Sequence, residues 1–238
     1  MNQNLTLLLC KDYSKDTILL ETCLASKNIE YITICDSCSI DKDTKIKESG
    51  FYNLTRSPYI KKPSSWDKAF YEIYEENLIS KYNYFFFVED DVYSKNYILL
   101  ADFLIISNNN YNHDLITKCI RPKSHYPTWK HWKEEYINQF KSPSQSFNPI
   151  CRLSNKLISK IFQYQKDNSR FDFHEILFAS LCKEHDLSYI EYINDPILQQ
   201  YVGAVSYKPI LLKEEITDNK IYHPVKANKN ARKIKEIT

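Results

Sequence analysis

The chain alternates short apolar runs with longer stretches in which apolar residues recur every three or four positions. Leu5 to Cys10 is a short, mostly apolar run; Ile18, Leu19, Cys23 and Leu24 fall at helical spacing between Asp16 and Lys27; Tyr31 to Cys35 is apolar and β-branched. This order predicts strand, helix, strand. Residues 36–62 are polar and read as irregular, and Pro63-Ser64-Ser65 then supplies helix-start chemistry for a stripe of Ala69, Phe70, Ile73, Tyr74 and Leu78, which predicts a helix from Trp66 to Lys81. Tyr84-Phe85-Phe86-Phe87-Val88 is apolar at every position, as a central strand covered on both faces requires, and Tyr97 to Ile106 behind it reads as another helix. Strands separated by helices imply a parallel sheet with right-handed crossovers, so the first half is expected to be three-layer α/β.

The second half is less regular. Leu115 to Ile120 predicts a strand, and Arg121 to Ser146, with Pro122, Pro127 and Pro143, reads as a long excursion over the surface. Leu153 to Tyr164 and Phe173 to Lys183 have helical spacing, Leu187 to Ile193 reads as a strand, and Tyr207 to Thr238 ends in a basic, extended tail.

Length and composition narrow the function classes. At 238 residues the chain fits one large domain, and with 43% hydrophobic and 26% charged residues it reads as a soluble globular protein. No apolar run approaches the ~20 residues of a spanning helix. Met1 to Leu9 lacks the basic start of a signal peptide, so a cytoplasmic protein is expected. A net charge of +2 gives no field that argues for a nucleic-acid partner. The two glycines, Gly50 and Gly203, are too far apart for a P-loop, a G-x-G-x-x-G fingerprint or a G-x-S-x-G elbow. Seven cysteines in such a chain are expected to be reduced, mostly buried thiols. Cys35-Asp36-Ser37-Cys38 has the C-x-x-C spacing of half a zinc site or a redox pair, but no second such pair follows, and it reads as thiols at a strand end.

The candidate chemistry sits at Glu89-Asp90-Asp91, directly after Val88. Open α/β sheets bind ligands at the carboxyl ends of their strands. Three adjacent acids against an apolar strand repel one another and lose hydration, which a divalent cation would offset. Carboxylate, water and diphosphate oxygens are the usual shell of Mg²⁺ or Mn²⁺ held against a nucleotide. The competing reading has one acid capping a helix that starts near Asn96 and the others solvated.

Phe86-Phe87-Val88-Glu89-Asp90-Asp91-Val92 resembles the hydrophobic strand and acidic DxD-type motif of GT-A glycosyltransferases, in the E-D-D form of lipopolysaccharide glycosyltransferases and N-acetylglucosaminyltransferase I. Three further segments match in order: Ser65-Trp66-Asp67-Lys68-Ala69 where such enzymes contact the nucleotide, His174-Glu175-Ile176-Leu177-Phe178 where inverting members carry the base, and Tyr222-His223-Pro224-Val225-Lys226 where a histidine completes the metal shell. The resemblance spans Leu5 to Lys226. It implies a GT-A fold over residues 1–226, with a Rossmann-like nucleotide-binding half (1–107), a less regular acceptor and catalytic half (108–226) and a basic tail (227–238). The implied activity is a metal-dependent hexosyltransferase that moves a sugar, with inversion, from a nucleoside-diphosphate donor, a UDP-sugar, to a glycan or lipid-linked acceptor.

On the same resemblance Asp91 and His223 would hold the metal, and a histidine among the carboxylates favours Mn²⁺ over Mg²⁺. Glu89 and Asp90 would accept hydrogen bonds from ribose or sugar hydroxyls, Lys226 would share diphosphate charge, and Asp36, Trp66 and Lys68 would contact the nucleotide. Glu175 is the candidate base. Each has a plainer reading: His223 as a histidine on a tail strand, Trp66 as a helix-end anchor, Asp36 as a turn residue, and Glu175 as half of a capping box with Asp172. His174-Glu175 does not make a zinc-protease motif, because H-E-x-x-H would need a second histidine where Phe178 stands, after Ile176 and Leu177. Tyr126, Trp129, His131 and Trp132 fit either a sugar-binding platform or a lid packed on the core. The basic tail is expected to be a solvated end, with weak membrane-surface association as its other reading. A sugar nucleotidyltransferase, which would ordinarily carry a glycine-rich loop, and a non-catalytic nucleotide- or glycan-binding relative are the rival functions.

Overall fold

The structure is a computed structural model that describes residues 4–37, 40–52 and 62–226. Cys38 and the tail from 227 to 238 lie outside the described residues. The first half runs β1 (Asn4–Cys10), α1 (Lys15–Ser26), β2 (Tyr31–Cys35), α2 (Ile40–Glu48), α3 (Ser65–Glu75), β3 (Tyr84–Glu89) and α4 (Tyr97–Asn109). The second runs β4 (Leu115–Thr117), β5 (Ile120–Pro122), α5 (Glu134–Ile137), β6 (Ser144–Ser146), β7 (Ile150–Ser154), α6 (Asn155–Asn168), α7 (His174–Glu184) and β8 (Tyr189–Glu191). Four short strands follow: β9 (Val202–Val205), β10 (Leu211–Leu212), β11 (Ile221–His223) and β12 (Val225–Lys226).

The central sheet has six strands in the order β2-β1-β3-β7-β4-β8. β1 pairs in parallel with both β2 and β3, and β4 with β8, whereas β7 runs antiparallel between β3 and β4. The result is an α/β fold on a mostly parallel sheet. Period-two side-chain alternation explains the apolar strands. Leu5, Leu7, Leu9, Phe85 and Phe87 face a core formed with α3, α6 and α7, while Leu8, Phe86 and Val88 face a second core under α1 and α4.

Where the elements differ from the sequence reading, the cause is local. α2 lies inside the stretch read as irregular; its fully buried apolar anchor is Ile46, and buried Asp43 pairs with Lys68 at 3.2 Å, so polar contacts replace an apolar stripe. α3 stops at Glu75 because Asn77 takes a left-handed φ of 47°, and a short 3₁₀ turn then buries Leu78. The expected strand from Leu115 to Ile120 divides: β4 stays in the central sheet, and β5 leaves it to pair with β6. β7 has no counterpart in the hydrophobic pattern, because Arg152 stands at its centre. That side chain is fully buried, with its guanidinium 4.0 Å from the Tyr84 ring centroid and donating to the carbonyls of Ser107 at 2.5 Å and His113 at 2.9 Å. A buried cation whose N–H groups reach carbonyls and an aromatic face substitutes for an apolar residue.

Candidate active site

β3 delivers its last residue, Glu89, to the carboxyl edge of the parallel strands, and a turn closed by Val92 N–H donating to Glu89 O at 3.1 Å splits the acids. Asp90 is exposed and turns toward β1, where it accepts the Lys11 N–H at 3.0 Å. Buried Asp91 turns the other way. The helix behind needs neither of them, since Asn96 caps it by accepting from Ile98 N–H at 3.0 Å.

The C-terminal strands clamp onto this turn. Tyr93 and Tyr222 exchange backbone hydrogen bonds at 2.9 and 2.8 Å, and Val225 N–H donates to Asp91 O at 2.9 Å. β11 also pairs with β9, where Gly203 leaves room for the Tyr222 ring: a Cβ built at Gly203 would lie 2.4 Å from it. These contacts bring buried His223 to the acids. Its Nε2 lies 2.9 Å from Asp91 Oδ1 and 3.3 Å from Glu89 Oε2, and its Nδ1 lies 3.2 Å from Ser206 O. Lys226 Nζ lies 2.8 Å from Asp91 Oδ2. Burial alone would favour neutral His223, but hydrogen bonds to Asp91 and Glu89 outweigh it and push the imidazole pKa up to about 9.

Among the described residues, Glu89, Asp91 and His223 form a cluster that can hold a metal ion, with one ligand atom from each lying within 4.8 Å of the others. The donor set suits Mn²⁺ or Mg²⁺, with imidazole favouring the former. A neutral His223 donating Nδ1–H to Ser206 O would leave the Nε2 lone pair facing both carboxylates, which is the usual outer-shell arrangement of a metal-binding histidine. The resemblance implies Asp91 and His223 as ligands and Glu89 as a hydroxyl acceptor. The geometry adds Glu89 to the cluster, a convergence that three consecutive letters do not reveal.

Trp66 and Lys68, placed at the nucleotide by resemblance, are both buried. Trp66 stacks on His174 at 4.0 Å between ring centroids and donates its indole N–H to Glu89 Oε1 at 2.9 Å. Lys68 donates to the carbonyls of Cys35 at 3.3 Å and Asp36 at 2.7 Å, fixing the segment after β2. Asp36 accepts the backbone N–H of Ser65 at the start of α3. Lys11, Asp12, Asp36, Ser37, Lys62, Pro63 and Ser64 line a cavity of about 280 Å³ beside the Lys11–Asp90 contact. Its place outside the ends of β1 and β2 is where a doubly wound sheet accepts a ligand.

Glu175 is buried in the first turn of α7, where free amides favour a carboxylate. The N-cap residue of that helix is Phe173, and Asp172 before it pairs with Arg170 at 3.2 Å and accepts from Tyr164. Tyr207, about half exposed, donates its hydroxyl to Glu175. The Tyr207 ring packs on Phe147 at 4.1 Å, and Phe147 meets the His223 ring at 5.6 Å, so one aromatic wall links Glu175 to the acidic cluster. Sequence reasoning missed Tyr207 and Phe147, and no spacing signal marks either. In the long excursion Trp129 is buried against Phe173, at 6.0 Å between centroids, and Trp132 donates its indole N–H to Tyr126 O at 2.7 Å, which fits the lid reading. Tyr126 remains exposed.

No protein-family model matches the sequence, and a search of curated proteins finds no relative. Among solved structures the chain is similar to a glycosyltransferase involved in the glycosylation of the major capsid of PBCV-1, at 12% identity and a TM-score of 0.44, over 98% of this chain and 99% of that one. It is also similar to mouse xyloside xylosyltransferase 1 in its apo form, at 10% identity and a TM-score of 0.40, over 94% and 97% of the two chains. Both scores lie below 0.5. The functional reading therefore rests on the site itself. No helix among the described residues is long and apolar enough to cross a membrane.

Proposed function

We propose that this protein is a metal-dependent glycosyltransferase of GT-A type that transfers a sugar, with inversion, from a nucleoside-diphosphate sugar to an acceptor hydroxyl in glycan biosynthesis. The observation that carries the reading is the convergence of Glu89, Asp91 and His223 at the end of β3, with Glu175 reached across the Tyr207–Phe147 wall. Glu89, Asp91 and His223 would hold Mn²⁺, or Mg²⁺, which as a Lewis acid stabilises the charge developing on a departing diphosphate. A UDP-sugar is the donor this reading favours, and the acceptor is a glycan or a lipid-linked sugar.

The chain's own groups divide the remaining work. The cavity between Lys11–Asp12 and Asp36–Ser37 would take the nucleoside, with Asp36 and Asp90 as acceptors for its hydroxyls. Lys226, partly exposed beside Asp91, can swing from that carboxylate to a diphosphate oxygen. Glu175 would take the proton of the acceptor hydroxyl as it attacks the anomeric carbon from the side opposite the diphosphate. Tyr207 holds that carboxylate in place until an acceptor hydroxyl replaces it.

The test is a panel of nucleotide sugars with Mn²⁺ and a chelator control, read as release of nucleoside diphosphate. Expected is release from one donor class that requires the metal and is lost in Asp91→Ala. Pyrophosphate release from a nucleoside triphosphate and a sugar phosphate would overturn the reading in favour of a nucleotidyltransferase. Tight donor binding without release, even with acceptors supplied, would overturn it in favour of a binding protein.

A further inference from the structure

The redox-pair spacing Cys35-x-x-Cys38 pointed to a partner for Cys35 along the chain, whereas the fold supplies one across the sheet. Cys10 and Cys35 are the last residues of β1 and β2 and directly opposed partners in their parallel register. Opposed residues on adjacent strands project to the same face. Their sulfurs lie 2.9 Å apart, and neither is in a disulfide. Neighbouring strands are spaced about 4.8 Å apart, within the Cα separations that a disulfide bridges.

Each cysteine also leads directly into a wall of the 280 Å³ cavity. Lys11 and Asp12 follow Cys10, and Asp36 and Ser37 follow Cys35. The Lys11 N–H holds Asp90 at 3.0 Å, and the Asp36 N–H donates to Cys10 O at 2.9 Å, so the strand ends and the acidic turn are already mechanically joined.

We propose that Cys10 and Cys35 are a modification site: they form a reversible intramolecular disulfide that ties the two cavity walls together and weakens ligand binding between them. With hydrogen peroxide as oxidant, Cys35 gives up its thiol proton as its sulfur attacks one peroxide oxygen, the O–O bond breaks, Cys35 sulfenic acid forms, and the departing hydroxide takes that proton to become water. Cys10 sulfur then attacks the Cys35 sulfur. The S–O bond breaks, the S–S bond forms, and the Cys10 proton leaves with the departing hydroxide as water. In total two thiols lose two electrons and two protons, and one peroxide becomes two waters. Both residues are buried, Cys10 at 1% and Cys35 at 7% exposure. The oxidant must therefore be small and neutral, and the first attack is assigned to Cys35, the less buried residue.

The consequence for ligand binding rests on the proposed function, whereas bond formation does not. The test treats full-length protein with hydrogen peroxide, blocks remaining thiols with N-ethylmaleimide under denaturing conditions, and maps peptides by mass. Expected is a cross-linked Cys10–Cys35 peptide that dithiothreitol dissolves and that is absent from Cys10→Ser and from Cys35→Ser. Both cysteines recovered as alkylated thiols, or Cys35 joined to Cys38, would overturn the site. In parallel, the UDP dissociation constant with Mn²⁺ is expected to rise at least threefold on oxidation and to recover on reduction; a cross-link that leaves it unchanged overturns the coupling to the cavity. If reduced protein binds no UDP, the proposed function fails while the mass map still decides the disulfide.

Discussion

Trp66 donates its indole N–H to Glu89 Oε1 across 2.9 Å while its ring lies 4.0 Å from that of His174, so one side chain on α3 connects the acidic end of β3 to the start of α7. The tryptophan that the resemblance places at the nucleotide also orients a carboxylate. Replacing it with phenylalanine keeps most of the stacked area and removes only the donor. Hydrogen bonds to charged groups contribute about 1.5–3 kcal/mol, and partners behind metal ligands set affinity by roughly 10- to 100-fold. Trp66→Phe is expected to remain folded by circular dichroism and to bind Mn²⁺ about tenfold more weakly in calorimetry. Unchanged Mn²⁺ affinity would show that Glu89 needs no such support.

Lys226 gives a prediction with two opposite signs. Its ammonium stands 2.8 Å from Asp91 Oδ2, on a carboxylate that a divalent ion would also claim. Two cations at one carboxylate repel each other, so Lys226 opposes metal binding until a diphosphate gives it another partner. Lys226→Met is therefore expected to bind Mn²⁺ alone a few-fold more tightly, and to bind UDP in the presence of Mn²⁺ about tenfold more weakly. Both constants come from titration calorimetry. If both weaken together, Lys226 is only a support for the strand that carries it.

The sequence pattern was most informative where a side chain's role follows from local periodicity. The all-apolar strand from Tyr84 to Val88 is buried on both faces, and the acids at its end lie at the carboxyl edge of the parallel strands. It was least informative where a buried polar group takes an apolar place: Arg152 conceals β7, and the Asp43–Lys68 pair conceals α2. The meeting of Glu89, Asp91 and His223 depends on β11 crossing 132 positions of chain to reach β3, and on the Tyr93–Tyr222 bridge that holds it there. No spacing rule encodes such a contact. Trp66 and Lys68 show the converse limit, since a motif letter does not reveal that both side chains are buried, one on Glu89 and the other on the carbonyls of Cys35 and Asp36.

Glu175 separates binding from transfer. In Glu175→Gln the amide oxygen still accepts from the Tyr207 hydroxyl, and the size of the side chain is kept, so α7 and the aromatic wall remain in place. Only the capacity to take a proton is removed. General-base catalysis contributes about 10²- to 10⁴-fold. The variant is expected to bind donor within twofold of the unaltered protein and to lose at least a hundredfold in transfer, followed as nucleoside diphosphate release from the donor that the unaltered protein uses. Transfer at an undiminished rate would remove Glu175 as the base and favour a retaining mechanism.

His223 makes metal-free stability and metal affinity respond oppositely to pH. Its pKa is about 9 in the folded chain, against an unfolded value of about 6.5. A raised folded pKa stabilises fully below the unfolded value, and that contribution is lost as pH climbs from about 6.5 through 9. With chelator present, the melting temperature is expected to fall across this window by several degrees, corresponding to about 2–3 kcal/mol for this group. His223→Gln should flatten the slope. Mn²⁺ must displace the proton on Nε2, so its affinity is expected to rise over the same window, by up to about tenfold per pH unit. Calorimetric titrations at pH 6.5, 7.5 and 8.5 check that rise. An Mn²⁺ affinity independent of pH would mean that the imidazole is not a ligand.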